Sequence, residues 1–167
     1  MKAHFALMAQ YNAWANARLY RMAGQLSDEQ YRRDTGAYFK SLHGTLNHLL
    51  ATDRIWMWRL TGTGVAPTRL DAILFDDLGE LTAARRAEDE RLAGYVAGLT
   101  DGQLEAAVEY RTFKGAPQRQ PLREVLAHLF NHQTHHRGQA HAILTALGVD
   151  EPDSLDVLWM LRERPTR

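Results

Sequence analysis

This sequence predicts an all-α fold, a four-helix bundle, on three observations. Four long segments repeat apolar residues at the three-to-four-residue spacing of a helix face. Strong punctuation separates them: Thr61-Gly62-Thr63-Gly64 stops the second, and Pro121 is placed to start the fourth. The 167 residues, 45% hydrophobic and 24% charged, suit one globular domain over residues 1–167 with a buried core.

The first helix is expected over residues 3–23, carried by Phe5, Leu7, Met8, Trp14, Leu19 and Met22. Ser27-Asp28-Glu29 marks a loop or a new helix cap. The second helix is expected over residues 41–60. A crossover of roughly a dozen residues then passes through Pro67 to a third helix over residues 75–99, rich in Ala, Leu, Glu and Arg. Between residues 105 and 120, Val108, Tyr110 and Thr112 alternate with charged residues, and Lys114-Gly115 can turn the chain, which predicts a small hairpin. The fourth helix follows Pro121 and closes at Gly148. A short C-terminal helix over residues 155–161 is expected to pack Leu158 and Trp159 onto the bundle. The long crossover argues against a simple up-down-up-down arrangement.

Composition removes several function classes. Lys plus Arg and Asp plus Glu both total 20, and no basic stripe stands out, so a nucleic-acid partner is not expected. There is no cysteine, which excludes disulfides, Cys-ligated zinc and a protein thiol nucleophile. Histidine and carboxylate remain as metal ligands. No apolar run approaches the roughly 18 residues of a membrane span. Met1-Lys2-Ala3-His4-Phe5 does not open a signal peptide, so a cytoplasmic location without a membrane partner is expected.

Five of the eight histidines fall between His128 and His141. Side chains four residues apart share a helix face, so His128/His132 and His132/His136 are both possible chelating pairs. On a helical wheel, Leu122, Val125, Leu129, Ala140, Ile143, Leu144 and Leu147 form one stripe. His136 falls within it, His132 on its edge, and His128 and His135 farther round, so His132 and His136 are expected to face the bundle interior. A catalytic metal site takes three protein ligands and an open position. The third must come from another helix; His48 is the best interior candidate although it lies off the centre of its helix's apolar stripe, His43 is a competitor, and His4 is near the chain end. Asp53 shares a face with Leu42, Leu46, Leu49, Trp56 and Leu60, where a carboxylate needs a partner. It would orient a histidine or a substrate group, or pair with an arginine. Two alternatives fail on spacing. His132-Gln133-Thr134-His135-His136 lacks the glutamate of a zinc-protease helix, and the fourth helix has only Glu124, far from the ligand turn, where a di-iron bundle needs glutamates.

These residues resemble the DinB family of small metal-binding bundles, which includes the YfiT-like metal-dependent hydrolases. The most specific stretch runs from Asn131 through His132-Gln133-Thr134-His135-His136-Arg137-Gly138-Gln139 to His141, with Leu147-Gly148 closing the helix. Tyr11-Asn12-Ala13-Trp14-Ala15-Asn16 and Leu46-Asn47-His48-Leu49-Leu50-Ala51-Thr52-Asp53-Arg54-Ile55-Trp56 resemble the family's first- and second-helix segments. The resemblance implies a four-helix bundle, often dimeric, with one divalent transition metal on His48, His132 and His136. Zinc or nickel is the usual metal, manganese or iron the less common one. It also implies a small-molecule substrate and a low-molecular-weight thiol as cosubstrate. The function expected is a metal-dependent thiol S-transferase or a related hydrolase or isomerase; the alternative is a non-catalytic metal-binding stress-response protein. Arg137 and Gln139 would meet substrate carboxylate or amide groups, or serve as structural hydrogen-bonders, and Asp53 or His135 would relay a proton.

Overall fold

The computed structural model describes residues 1–163. Four long helices dominate: α1 (Lys2–Ala23), α3 (Leu42–Thr61), α4 (Leu78–Gly98) and α6 (Leu122–Ala146). Between them lie α2 (Asp28–Arg32), α5 (Asp101–Glu105) and an antiparallel hairpin of β1 (Ala107–Arg111) and β2 (Pro117–Pro121), and α7 (Val157–Glu163) follows. The predominantly helical fold and the hairpin agree with the sequence reading.

The helix ends follow local chemistry. Ser41 caps α3 by accepting from the Gly44 N–H, and Gly62 ends it in the left-handed region at φ 68°. Asp77 caps α4 by accepting from the Glu80 N–H. That cap places the start of α4 three residues later than the expected 75. Ser27 proves to be a new cap, joined to Gln30 in a capping box that opens α2. The same box, Thr100 with Gln103, opens α5, which the sequence reading left out because five residues carry no periodicity.

Helix α1 packs on α4 and α6, and α3 packs on the same two, so α1 and α3 stand across the bundle from each other. The core has three storeys. Leu19, Leu42, Leu46, Leu50, Leu81 and Leu144 fill one end, and Phe5, Met57, Leu92, Leu99, Leu126 and Phe130 fill the other. Between them every long helix contributes buried polar side chains: Asn12 and Asn16, Asp53, Arg85 and Asp89, Gln133 and Arg137. Arg85 ion-pairs with Asp53 at 2.8 Å and Asp89 at 3.0 Å. Asn12 and Asn16 donate to Asp89, Gln133 donates to Asp53 at 2.6 Å, and Arg137 donates to Asn12. The two arginines and two aspartates balance, as buried charges must.

One expectation for the tail is corrected. In α7 it is Met160 that is buried, at 5% exposure, whereas Leu158 and Trp159 are each 50% exposed. The short helix lies on α1 by the Met160 side, beside Tyr11 and Ala15, and turns the two larger residues outward.

Candidate metal centre

His48, on α3, and His132 and His136, one turn apart on α6, converge so that one ring nitrogen from each lies within 4.8 Å of the others. The ring centroids are 4.3 Å apart for His132 and His136, 4.4 Å for His48 and His136, and 5.2 Å for His48 and His132. Among the described residues, no fourth histidine or carboxylate joins the group.

Two rings are locked from behind. His48 Nδ1–H donates to the Leu70 carbonyl at 2.7 Å, and His136 Nδ1–H donates to Gln139 Oε1 at 2.7 Å. Each bond fixes the tautomer and leaves Nε2 with its lone pair, the arrangement that metal-binding imidazoles use. His48 Nε2 is buried and has no hydrogen-bond partner, a costly state that a coordinated cation would relieve. The donor set therefore fits a divalent transition metal of the borderline, imidazole-binding kind.

The environment also keeps the ligands neutral. Burial pulls His48 down to about 4, opposed in part by its bond to Leu70, and His136 adds to the depression. Burial pulls His132 down to about 3, with further lowering by His136 and His48. His136 is lowered by burial too, against the Gln139 bond. All three are free bases at neutral pH.

Structural supports hold this geometry. Asn47, fully buried beside His48, accepts from the Leu74 and Phe75 N–H groups at 2.8 and 3.1 Å and donates to the Phe75 carbonyl. It pins the crossover, residues 62–77, onto α3 and so delivers the Leu70 carbonyl to His48. On the other side Phe39 stacks on the His48 ring at 3.8 Å and meets the His136 ring edge-on at 5.6 Å. Phe39 is held there by a tight turn in which Ser41 N–H donates to its carbonyl and Lys40 takes φ 70°. A non-glycine residue in that region costs about 1 kcal/mol. Gly44 is required beneath this turn, because a Cβ there would run into the Phe39 carbonyl oxygen.

The remaining candidates separate clearly. His43 is buried elsewhere, donating through Nε2 to the Phe75 carbonyl at 3.2 Å, and His4 lies against Phe5. His128 and His135 are exposed on the rim, their rings 5.8 Å from His132 and 4.7 Å from His136. Asp53 is fully buried as the partner of Arg85, and burial pushes its carboxyl up to about 6 against the pull of Arg85. Gln139 stands behind His136, as described. Arg137 is 1% exposed, lies over the Tyr11 ring and bonds to Asn12.

The wheel reading of α6 needs correction on one point. The axis-facing positions are Gln133 and Arg137, while His132 and His136 are half-buried at the α3–α6 seam. A stripe drawn through apolar residues alone skips the polar storey and rotates the apparent interior toward the histidines. The sequence reading also missed Asn47, Phe39 and the Leu70 carbonyl. Asn47 carried a signal, a poor helix former set beside His48; Phe39 and Leu70 reach the site only through loop geometry.

Known proteins resemble this chain in sequence or in fold. Protein DinB of Bacillus subtilis (strain 168) is 29% identical over 147 residues, covering 83% of this chain and 83% of that protein. The crystal structure of a DinB-like protein from Bacillus cereus ATCC 10987 matches the fold with a TM-score of 0.65 at 19% identity, covering 88% of this chain and 94% of that one. The DinB family model matches residues 1–166, and by that match this chain belongs to the DinB family.

Proposed function

We propose that this protein is a metal-dependent enzyme that transfers a low-molecular-weight thiol to, or from, a small organic molecule, with His48, His132 and His136 holding one zinc or nickel ion. The observation that carries the reading is the set of three neutral imidazoles, two of them locked through Nδ1, with no fourth ligand among the described residues. A structural site would close with a fourth side chain. A divalent ion held there supplies positive charge at an open position, which favours the deprotonated form of a thiol or a water.

The chain's own residues define the rest of the chemistry. With no cysteine in the sequence, the sulfur nucleophile must come from a cosubstrate. Asp53, tied to Arg85 and Gln133, is not placed to take its proton. We assign the passage of that proton to solvent to His135, which is exposed and whose ring lies 4.7 Å from that of His136. Phe39 covers one face of the His48 ring. A homodimer belongs to the same proposal, supported by Leu158 and Trp159, which α7 turns outward; a monomer mass by light scattering at micromolar concentration would refute that part.

The test begins with metal analysis of untagged protein. One equivalent is expected in the wild type and after His128→Ala, and none after His132→Ala; a full equivalent in the latter would show that the ligands are wrong. Cobalt-loaded protein is then titrated with glutathione, mycothiol and bacillithiol. A sulfur-to-metal charge-transfer band with one of them, lost in His136→Ala, is the expected result. No band with any thiol at full metal occupancy would leave water activation or a non-catalytic ion in its place.

A further inference from the structure

A cationic, aromatic-walled cavity lies between the last turns of α3 and the hairpin. Its volume is about 730 Å³, and Trp58, Arg59, Tyr110, Arg111, Gln118 and Arg119 are among its walls. Glu109 is its one acidic residue and pairs with Arg119 at 3.5 Å. Among the described residues no carboxylate forms an ion pair with Arg59 or Arg111, so the cavity carries net positive charge.

Arg59 is built in. Its guanidinium carbon is 4.7 Å from the Trp56 ring centroid, 5.1 Å from Tyr110 and 5.6 Å from Phe113. Nη2 donates to the Arg111 carbonyl at 3.0 Å. Tyr110 is itself fixed, its hydroxyl donating to Gln120 at 2.6 Å. Burial holds the guanidinium below its ordinary value. A partly desolvated guanidinium without an acid partner is an arginine with most of its donor fork unspent.

Trp56 links this cavity to the histidines. Under Arg59 on one side, it meets the His128 ring edge-on at 5.4 Å on the other, and His128 stands 5.8 Å from His132. We propose that the Arg59 cavity binds a carboxylate on the substrate whose reacting group lies at His48, His132 and His136. The placement of the reacting group rests on the metal-enzyme reading above; the carboxylate site itself does not. The charge selects an anion, the planar fork favours a carboxylate taken by two N–H groups, and the aromatic walls accept an apolar stem beside it. The same geometry makes the substrate an elongated organic acid, because anion and reaction centre are separated by the Trp56 and His128 rings.

Benzoate is the probe and benzamide, its neutral isostere, the control. Calorimetric titration of chelator-stripped wild-type protein should show benzoate binding at least about tenfold more tightly than benzamide, the scale of a hydrogen bond to a charged group. Arg59→Gln, which retains an N–H for the Arg111 carbonyl, should remove that preference while its circular-dichroism spectrum stays that of the folded wild type. In manganese-loaded protein, relaxation of the benzoate protons should place the bound probe beyond direct coordination, and the effect should vanish in Arg59→Gln. Equal affinity for the two probes in the wild type would overturn the proposal without any variant. So would relaxation that survives in Arg59→Gln, which would mean that benzoate sits on the ion. Because the affinity comparison uses metal-free protein, failure of the metal reading would leave its outcome unaffected.

Discussion

The Nδ1–H of His136 donates to Oε1 of Gln139, 2.7 Å away and one turn farther along α6. The bond aims Nε2 at the other two histidines. Replacing Gln139 with leucine should leave the fold intact and weaken metal affinity about tenfold or more, the usual effect of removing a group that orients an imidazole ligand. Competition with a chromophoric chelator measures it; unchanged affinity would mean that His136 is held by packing alone.

Asn47 does the same for His48 at one remove. Asn47→Ala abandons the Leu74 and Phe75 N–H groups and frees the crossover that carries the Leu70 carbonyl. We expect a loss of roughly 1–3 kcal/mol in urea unfolding together with weaker metal binding. Hydrogen exchange should speed up at Leu74 and Phe75, and protection identical to wild type would refute the role.

Asp53 separates a structural role from a catalytic one. Asp53→Ala leaves Arg85 with Asp89 as its only acidic partner in the polar storey. Removing one member of a buried pair costs about 3–5 kcal/mol, so thermal stability should drop sharply while metal stoichiometry stays at the wild-type level. Near-normal stability with lost metal or lost activity would instead place Asp53 in the chemistry.

The histidines make the metal-free protein acid-sensitive. His48 and His132 titrate at about 4 and about 3 in the fold against an ordinary 6.5. Between pH 6.5 and those values the unfolded chain binds protons that the native state refuses, so stability is lost as pH falls through that window. Asp53 acts in the opposite sense: its carboxyl, raised from 3.8 to about 6, takes a proton in the fold first and offsets part of the loss. Urea midpoints of chelated protein should therefore fall from pH 7 to pH 4, and less steeply in His132→Ala. An equal slope in that variant would show that the histidines are not the cause.

Much of this was legible in the sequence. Apolar periodicity and the punctuation at Gly62, Pro121 and Gly148 announced four long helices, because those signals act over a few residues and need no partner. The alternation of Val108, Tyr110 and Thr112 around Lys114-Gly115 announced the hairpin for the same reason. The four-residue spacing of His132 and His136 put two imidazoles on one face, a property of any helix. His48 was named through the family resemblance, since its helix stripe alone left His43 open.

Tertiary structure decided the rest. Whether Asp53 met a histidine or an arginine depended on which side chain α4 brought to its height in the bundle, and Arg85 was that side chain. Arg137 went to the axis and Gln139 to the seam because neighbouring helices, not the pattern of α6 itself, define inside and outside when a core contains a polar storey. The outward turn of Trp159, the stacking of Phe39 on His48 and the approach of Leu70 all arise between segments far apart in the chain. A sequence fixes local conformation through short-range sterics and hydrogen bonds, whereas the partner of a buried polar group is set by whichever helix packs against it.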